Sequence, residues 1–269
     1  GTLVDAEMSR RMRESGIQRV SISIDGDTEA SHDQFRQVEG AFAGALRGIY
    51  SLKEANVDVQ INTTLTSNNL HELPAIQKLA VELGAVAHHI FLLVPTGRGK
   101  DFKDQEIAAA DYERTLHWFY DQQRKVPLQL KATCAPHYYR IMRQRAKEEG
   151  KQVTSKTHGM DAVSRGCLGG TAFLFVSHVG QVQPCGYLEV DCGNVRKLPI
   201  EKIWRDSAVL RQLRDFDAYK GKCGICEYRR VCGGCRARAF EATGDYLESE
   251  PLCPYEPRAA KGRTEASTG

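Results

Sequence analysis

The hydrophobic pattern in the first half of the chain alternates between helical and extended segments. Helices are predicted at residues 3–16, 41–56, 70–84 and 109–125. Strands are predicted for the apolar runs IQRVSISIDG, VDVQINTTLT, VAHHIFLLVP and PLQLKA. Strands that alternate with helices usually pair in parallel, and near-continuous apolar strands indicate a sheet that is covered on both faces. The pattern therefore predicts an α/β fold.

The pattern changes after residue 133. The segment APHYYRIMRQRAKEEGKQ predicts a basic helix, and VTSKTHGMDAVSRG predicts an irregular connector. TAFLFVSHVGQVQPCG predicts a β-hairpin whose turn contains Gly180, since glycine accepts turn conformations that other residues avoid. The predicted organisation is a partial α/β domain at 1–133, a connector at 134–165, a cysteine-rich domain at 166–256 and a disordered tail at 257–269.

Composition narrows the possible partners of the chain. Of the 269 residues, 41% are hydrophobic and 26% are charged, as in globular proteins, and no apolar run approaches the length of a membrane span. The N-terminal stretch is too highly charged for a signal peptide. A net charge of only +3 gives no support for nucleic-acid binding but suits a small acidic substrate. A cytoplasmic protein without nucleic-acid or membrane partners is expected.

Nine cysteines are the main chemical signal in the sequence. Four of them fall in CGICEYRRVCGGC, residues 223–235, as two C-x-x-C pairs separated by five residues. An odd number of cysteines cannot pair completely, and closely spaced pairs in a cytoplasmic protein favour metal over disulfides. Eight or nine sulfurs are about what two four-iron clusters require, at four each. A zinc site with four thiolate ligands is the alternative.

The wider spacing resembles the SPASM domain, the C-terminal auxiliary-cluster domain of a group of radical S-adenosylmethionine (SAM) enzymes. The family pattern is a cysteine, a glycine-bearing hairpin, a second cysteine, a four-cysteine block and a final cysteine. All seven positions are filled, by Cys167, Cys185, Cys223, Cys226, Cys232, Cys235 and Cys253. The last gap within the block is two residues long here, where the family more often has three.

The resemblance implies how the cysteines divide between two auxiliary [4Fe-4S] clusters. One cluster would be held by Cys223, Cys226, Cys232 and Cys253, and the other by Cys167, Cys185 and Cys235. Three possibilities stand for the fourth ligand of the second cluster: Cys134, Cys192, or an open iron site that faces the substrate.

The first half of the chain resembles the same family. SISIDGDTEASHDQFR is similar to its S-x-D-G segment followed by H-D-x-x-R. The residues of this motif that imply SAM binding are Ser23, Asp25 and Arg36, with the serine and the arginine at the ribose and carboxylate of SAM. FLLVPTGRG resembles the end of a later barrel strand, where the backbone at Leu93 and Val94 would approach the adenine.

The C-x-x-x-C-x-x-C loop that defines radical SAM enzymes does not occur in these 269 residues. The resemblance therefore implies that the chain is the later portion of a TIM-like (β/α) barrel, followed by the SPASM domain. We expect the SAM-cleaving cluster upstream of residue 1, and we expect this portion alone to be inactive. An electron donor such as flavodoxin or ferredoxin would serve the complete enzyme.

Three further segments resemble the heme-biosynthesis branch: TCAPHYYRI, THGMDAVSRGCLGGT and VQPCGYLEVDCGNVR. This branch implies a tetrapyrrole substrate, with two propionates of iron-coproporphyrin III oxidatively decarboxylated to vinyls. Related members act on siroheme or on the heme d1 precursor, and a peptide-modifying SPASM enzyme is a further alternative. The candidates for porphyrin contact are Lys131, Arg140, Arg143 and Arg145 at the carboxylates and His137, His158 or His178 at the iron.

Overall fold

Four parallel strands form the main sheet of the computed structural model, which describes residues 1–260 apart from the side chains of residues 98 and 160. The strands are β1 Arg19–Ser23, β2 Asp58–Leu65, β3 Ala87–Leu92 and β4 Gln129–Thr133. Their order in the sheet follows the sequence, and each neighbouring pair is parallel. The predicted α/β fold is confirmed.

Helices connect these strands, because a parallel pair needs a crossover that returns the chain to the same end of the sheet. They are α1 Ala6–Glu14, α2 Glu29–Arg36, α3 Ala41–Glu54, α4 Leu73–Glu82 and α5 Ala109–Gln122. Four of the five fall on predicted helices, but α2 was predicted only as a motif. It begins after Thr28, whose hydroxyl accepts a hydrogen bond from the backbone N–H of Ser31 at 3.2 Å.

The chain divides into two compact units. The first unit contains Gly1–Leu93 with Trp118–Thr133 and holds the parallel sheet. Its core consists of apolar side chains from the strands and from α3 and α4, including Ile22, Ile61, Ile90, Leu52 and Ile76, each at most 2% exposed. The second unit contains Val94–His117 with Cys134–Gly269 and holds all nine cysteines.

The second unit is built from short elements. Its helices after residue 134 are α6 His137–Glu148, α7 Ser155–His158, α8 Ile200–Asp206, α9 Ala208–Arg214, α10 Gly221–Ile225 and α11 Arg236–Thr243. Its strands are β5 Phe175–Val176, β6 Gln181–Gln183 and β7 Gly193–Asn194. β5 and β6 pair antiparallel as the predicted hairpin, and β7 adds a third strand beside β6.

The connector predicted as irregular contains α7, because Thr154 caps it by accepting a hydrogen bond from the backbone of Thr157. The predicted tail falls largely on 261–269, which lie outside the described residues. No helix among residues 1–260 is both long enough and apolar enough to cross a membrane.

Candidate metal centre

Four cysteines of the second unit line one pocket. The pocket has an empty volume of about 410 Å³, including the part that opens to solvent. Its sulfur-bearing residues are Cys223, Cys226, Cys232 and Cys253. These are the four residues that the sequence assigned to one cluster, and we refer to them as the pocket group.

Glycine at two positions of the cysteine block allows close contacts that a side chain would prevent. A Cβ atom at Gly224 would lie 2.1 Å from the carbonyl oxygen of Tyr219, which is far inside van der Waals contact. A Cβ atom at Gly234 would lie 3.1 Å from the sulfur of Cys223, and Gly234 also has a φ of +61°. Residues with side chains at these positions would displace the turns that carry the cysteines.

Hydrogen-bond donors point at the sulfurs of the pocket group, including those of Cys223, Cys226 and Cys232. The backbone N–H of Tyr228 donates to the sulfur of Cys226 at 3.4 Å, and that of Gly234 donates to Cys232 at 3.5 Å. The sulfur of Cys223 accepts from the backbone N–H of Glu250 at 3.5 Å and from the Arg236 guanidinium at 3.3 Å. Such donors stabilise thiolate ligands and tune the potential of a cluster that they hold.

The remaining predicted ligands form a second group, which comprises Cys134, Cys167, Cys185 and Cys235. Burial raises the pKa of the Cys134 thiol to about 12, and the nearby sulfurs of Cys185 and Cys167 raise it as well. Burial raises the pKa of the Cys235 thiol, and the sulfurs of Cys134 and Cys167 raise it as well. Cys134 and Cys185 also pack against the small apolar core that contains Cys235 and Leu188.

The backbone of Cys134 is held in an unusual conformation. Its φ is +56°, in the left-handed region that residues with a Cβ atom rarely adopt. Its carbonyl oxygen accepts hydrogen bonds from the Tyr112 hydroxyl at 3.1 Å and from the Arg238 guanidinium at 3.2 Å. Cys192 lies elsewhere, in a separate apolar cluster with Val182 and Ile203. The structure therefore brings Cys134, and not Cys192, to the other three cysteines.

The donor chemistry fits iron–sulfur clusters. All nine cysteines are free thiols, and burial raises the pKa of Cys185 and of Cys253 to about 11. Without a metal these buried groups therefore keep their protons at neutral pH, and a bound metal supplies the positive charge that a thiolate needs. Among the described residues, no three His, Cys, Asp or Glu side chains meet at the spacing of a single metal ion.

A buried ion pair contacts both cysteine groups, and sequence reasoning missed it. Arg238 and Glu250 are each 1% exposed, and their side chains lie 3.0 Å apart. Glu250 accepts a hydrogen bond from the backbone N–H of Cys235 at 2.6 Å, while its own backbone N–H donates to Cys223. Burial acts to raise the pKa of Glu250, but the Arg238 charge opposes burial and the net pKa is lowered, so that the carboxylate stays ionised. The sequence signal for this ion pair was the run CRARAF, which begins at the last cysteine of the block and contains two arginines.

The arginines of α6 that were predicted to contact the porphyrin have partners within this chain. Arg140 is buried, its guanidinium pairs with Glu113 at 2.6 Å, and it lines the cysteine pocket together with His137. Arg143 donates to the carbonyl oxygen of Tyr139 at 3.0 Å, and Arg145 lies 3.9 Å from Glu148. The guanidinium of Arg140 is therefore already neutralised by a carboxylate of this chain.

The remaining predicted porphyrin contacts lie elsewhere. Lys131 is exposed on β4, and His178 is exposed in the hairpin turn. The ring of His158 lies 2.8 Å from the hydroxyl of Thr157. These side chains are not part of the cysteine pocket.

The predicted SAM residues of the first unit lie at the carboxyl end of the sheet. Ser23 is the last residue of β1. Asp25 lies two residues further along the chain and is fully buried. It accepts a hydrogen bond from the backbone N–H of Thr64 at 2.7 Å and pairs with Arg36. Burial raises the pKa of Asp25, and the Arg36 charge opposes that shift. The sequence did not predict that Asp25 would bind Arg36.

Leu93 and Val94 fall on either side of the boundary between the two units. The backbone N–H of Leu93 donates to the carbonyl oxygen of Leu65 at 3.4 Å. Val94 is buried in the small core of the second unit that contains Cys235 and Leu213.

Comparisons with known proteins agree on the class of this chain. A sequence profile of the SPASM iron–sulfur cluster-binding domain matches residues 167–236. The AdoMet-dependent heme synthase of Nitratidesulfovibrio vulgaris is 61% identical over 258 residues, which are 96% of this chain and 70% of that protein. The pre-heme d1 synthase of Dinoroseobacter shibae is 30% identical, over 94% of this chain and 65% of that protein.

Solved structures with the same fold include SuiB of Streptococcus suis bound to its precursor peptide SuiA. The TM-score is 0.63 at 15% sequence identity, and the match covers 88% of this chain and 53% of that one. At this identity the likeness concerns the fold alone.

Proposed function

This chain belongs to the AdoMet-dependent heme synthase family of radical SAM enzymes, and from that membership we propose that it serves the oxidative decarboxylation of iron-coproporphyrin III to heme. The observation that carries the proposal is the convergence of eight cysteines in two groups of four in one unit. The 61% identity to a heme synthase, against 30% to a pre-heme d1 synthase, favours this reaction over the modification of the heme d1 precursor.

The reaction requires an electron acceptor. A propionate side chain, –CH2–CH2–COO⁻, becomes a vinyl group by losing one hydrogen atom, one electron and CO2. When bound, auxiliary [4Fe-4S] clusters would supply that one-electron acceptance. The chain's own task is to hold the clusters in a donor-lined environment, and the partly or fully buried thiols and the N–H groups described above support that role.

We propose the pocket group as the four ligands of one cluster and the second group as those of the other. The left-handed backbone of Cys134, fixed by two hydrogen bonds, supports Cys134 as the fourth ligand, because such strain persists where the surroundings impose it and often marks function. Cys192 and an open iron site remain the alternatives for this position.

Replacement of Cys134 by serine tests this assignment. We expect C134S to hold its second cluster less well, because a hydroxyl replaces one of four thiolates, and to lose up to about four of about eight auxiliary irons. Anaerobic reconstitution followed by iron and sulfide analysis measures the loss. If C134S retains all of its iron while C192S loses up to about four irons, Cys192 is the ligand.

For SAM we propose a site in the first unit at the ends of β1 and β3. Ser23 would contact the ribose, Arg36 the carboxylate, and the backbone of Leu93 the adenine. The pairing of Asp25 with Arg36 supports this, because a buried carboxylate fixes the direction of the guanidinium fork. A contact from Val94 stays a prediction.

The activity itself is tested with full-length protein reconstituted without oxygen. We expect iron-coproporphyrin III, SAM and a reduced flavodoxin or ferredoxin to give heme, detected by chromatography and mass spectrometry. Siroheme-derived tetrapyrroles and peptides offered under the same conditions should give no product. Consumption of SAM without any decarboxylated porphyrin would reject the proposed substrate.

A further inference from the structure

Arg236 is a buried cation with an unusual set of partners. It is 1% exposed, and its guanidinium carbon lies 4.8 Å from the centre of the Tyr219 ring. Its nitrogens donate to the carbonyl oxygens of Gly234 at 3.3 Å, Tyr246 at 3.1 Å and Glu248 at 2.7 Å. The remaining hydrogen bond that the structure gives it goes to the sulfur of Cys223, at 3.3 Å.

Other buried arginines near the cysteines have carboxylate partners. Arg238 pairs with Glu250, and Arg140 pairs with Glu113. Each of these pairs is close to neutral. A guanidinium cannot be deprotonated in a protein, and burying its charge is costly unless an anion compensates it. Carbonyl dipoles solvate Arg236, but among its hydrogen-bond partners only the sulfur of Cys223 can carry a negative charge.

The backbone leaves room for this contact. A Cβ atom at Gly234 would lie 2.4 Å from the guanidinium nitrogen that donates to the sulfur. Glycine at this position therefore allows the guanidinium and the sulfur to meet. A buried guanidinium, a glycine without a Cβ atom and a sulfur acceptor therefore lie together at Arg236, Gly234 and Cys223.

We propose that Arg236 is the built-in counter-ion of the Cys223 thiolate and raises the reduction potential of the cluster held by the pocket group. The inference rests on the proposed function, since it requires that cluster to be present. Reduction adds one negative charge to a cluster whose thiolate ligands are already anionic. A buried cation hydrogen-bonded to one ligand favours the reduced form, so its removal must lower the potential. Arg236 acts through the Cys223 sulfur and is therefore a positioning residue.

The test is an EPR-monitored redox titration of the reconstituted holoprotein and of four variants. R236Q removes the charge, R236K keeps it, and R214Q is the matched control. Arg214 also lies over an aromatic ring, that of Trp204, and donates to the carbonyl oxygens of Gly170 and Trp204. The C253S variant, which lacks one ligand of the pocket group, identifies the signal of that cluster.

In R236Q we expect the equilibrium constant for one-electron reduction of the pocket cluster to fall at least tenfold, a downward shift of about 59 mV. R236K should shift the potential less, and R214Q should leave it unchanged. An unshifted potential in an R236Q protein with full iron content would overturn the proposal. If R236Q loses the cluster, retention by R236K supports the role of the charge, and loss from R236K as well refutes it. A wild-type protein without acid-labile sulfide would instead refute the proposed function itself.

Discussion

Replacing Cys232 with serine should remove one of the two auxiliary clusters, reducing the auxiliary iron from about eight to about four atoms per chain. Cys232 lies in the pocket with Cys223, Cys226 and Cys253, and its sulfur accepts a hydrogen bond from Gly234. A serine hydroxyl has a much higher pKa than a thiol and is a poor ligand for iron, so the remaining three thiolates hold the cluster weakly. Iron and acid-labile sulfide, determined after anaerobic reconstitution, measure the loss.

Cys192 provides the control for this experiment. Both Cys232 and Cys192 are 8% exposed, so the two substitutions place a hydroxyl in similarly buried surroundings. Cys192 packs with Val182, Ile203 and Leu210, and its thiol lies 3.7 Å from the carbonyl oxygen of Val190. C192S should therefore keep all of the iron. Equal iron in C232S and the wild type would contradict the pocket as a cluster site, and zinc without sulfide in the wild type would identify a different metal centre.

Replacing Arg238 with methionine should have the largest effect on stability. The substitution removes one partner of a buried ion pair and leaves the carboxylate of Glu250 without its compensating charge. Breaking a buried pair in this way typically costs about 3–5 kcal/mol in the free energy of unfolding. It also removes one of the hydrogen bonds that hold the carbonyl of Cys134. Denaturant unfolding under anaerobic conditions, followed by circular dichroism, measures the change.

Two further variants separate the charge from the packing. In R238M/E250Q the fully buried carboxylate is gone, and only the carboxylate of Glu106, 26% exposed and 3.7 Å from Arg238 in the wild type, has lost its partner, so the double variant should recover part of the loss. R10M serves as the exposed control, because Arg10 is 57% exposed beside Glu7 and Glu14, and such pairs contribute only about 0–1 kcal/mol. A double variant that is no more stable than R238M would show that the arginine acts through shape and hydrogen bonds instead of charge.

The hydrophobic pattern was sufficient for the sheet and most of its helices. Each of the four predicted strands of the sheet is a strand in the structure. The apolar run of each strand is buried under helices, and this burial does not depend on which distant segment supplies the helix. The pattern failed for α2 and for α7 to α11, which have between four and eight residues. Helices this short gain little from periodicity and depend on caps and tertiary contacts.

The cysteine spacing also predicted local structure at the metal centre. A C-x-x-C pair places two sulfurs in one turn, and the glycines at 224 and 234 leave the room that such turns need. That is a property of neighbouring residues, so the sequence alone could predict a metal centre and its family. It could not choose between Cys134 and Cys192, because both are isolated cysteines without a neighbouring ligand.

By itself, then, the sequence determined the α/β fold, the radical SAM and SPASM resemblance and most of the candidate ligands. Only the tertiary structure brought Cys134 to the second group and placed Arg236 on the sulfur of Cys223. It also joined Arg238 to Glu250, twelve residues apart, in the interior. The physical reason is that spacing encodes what adjacent residues can form, whereas burial and charge compensation depend on which distant segments pack together.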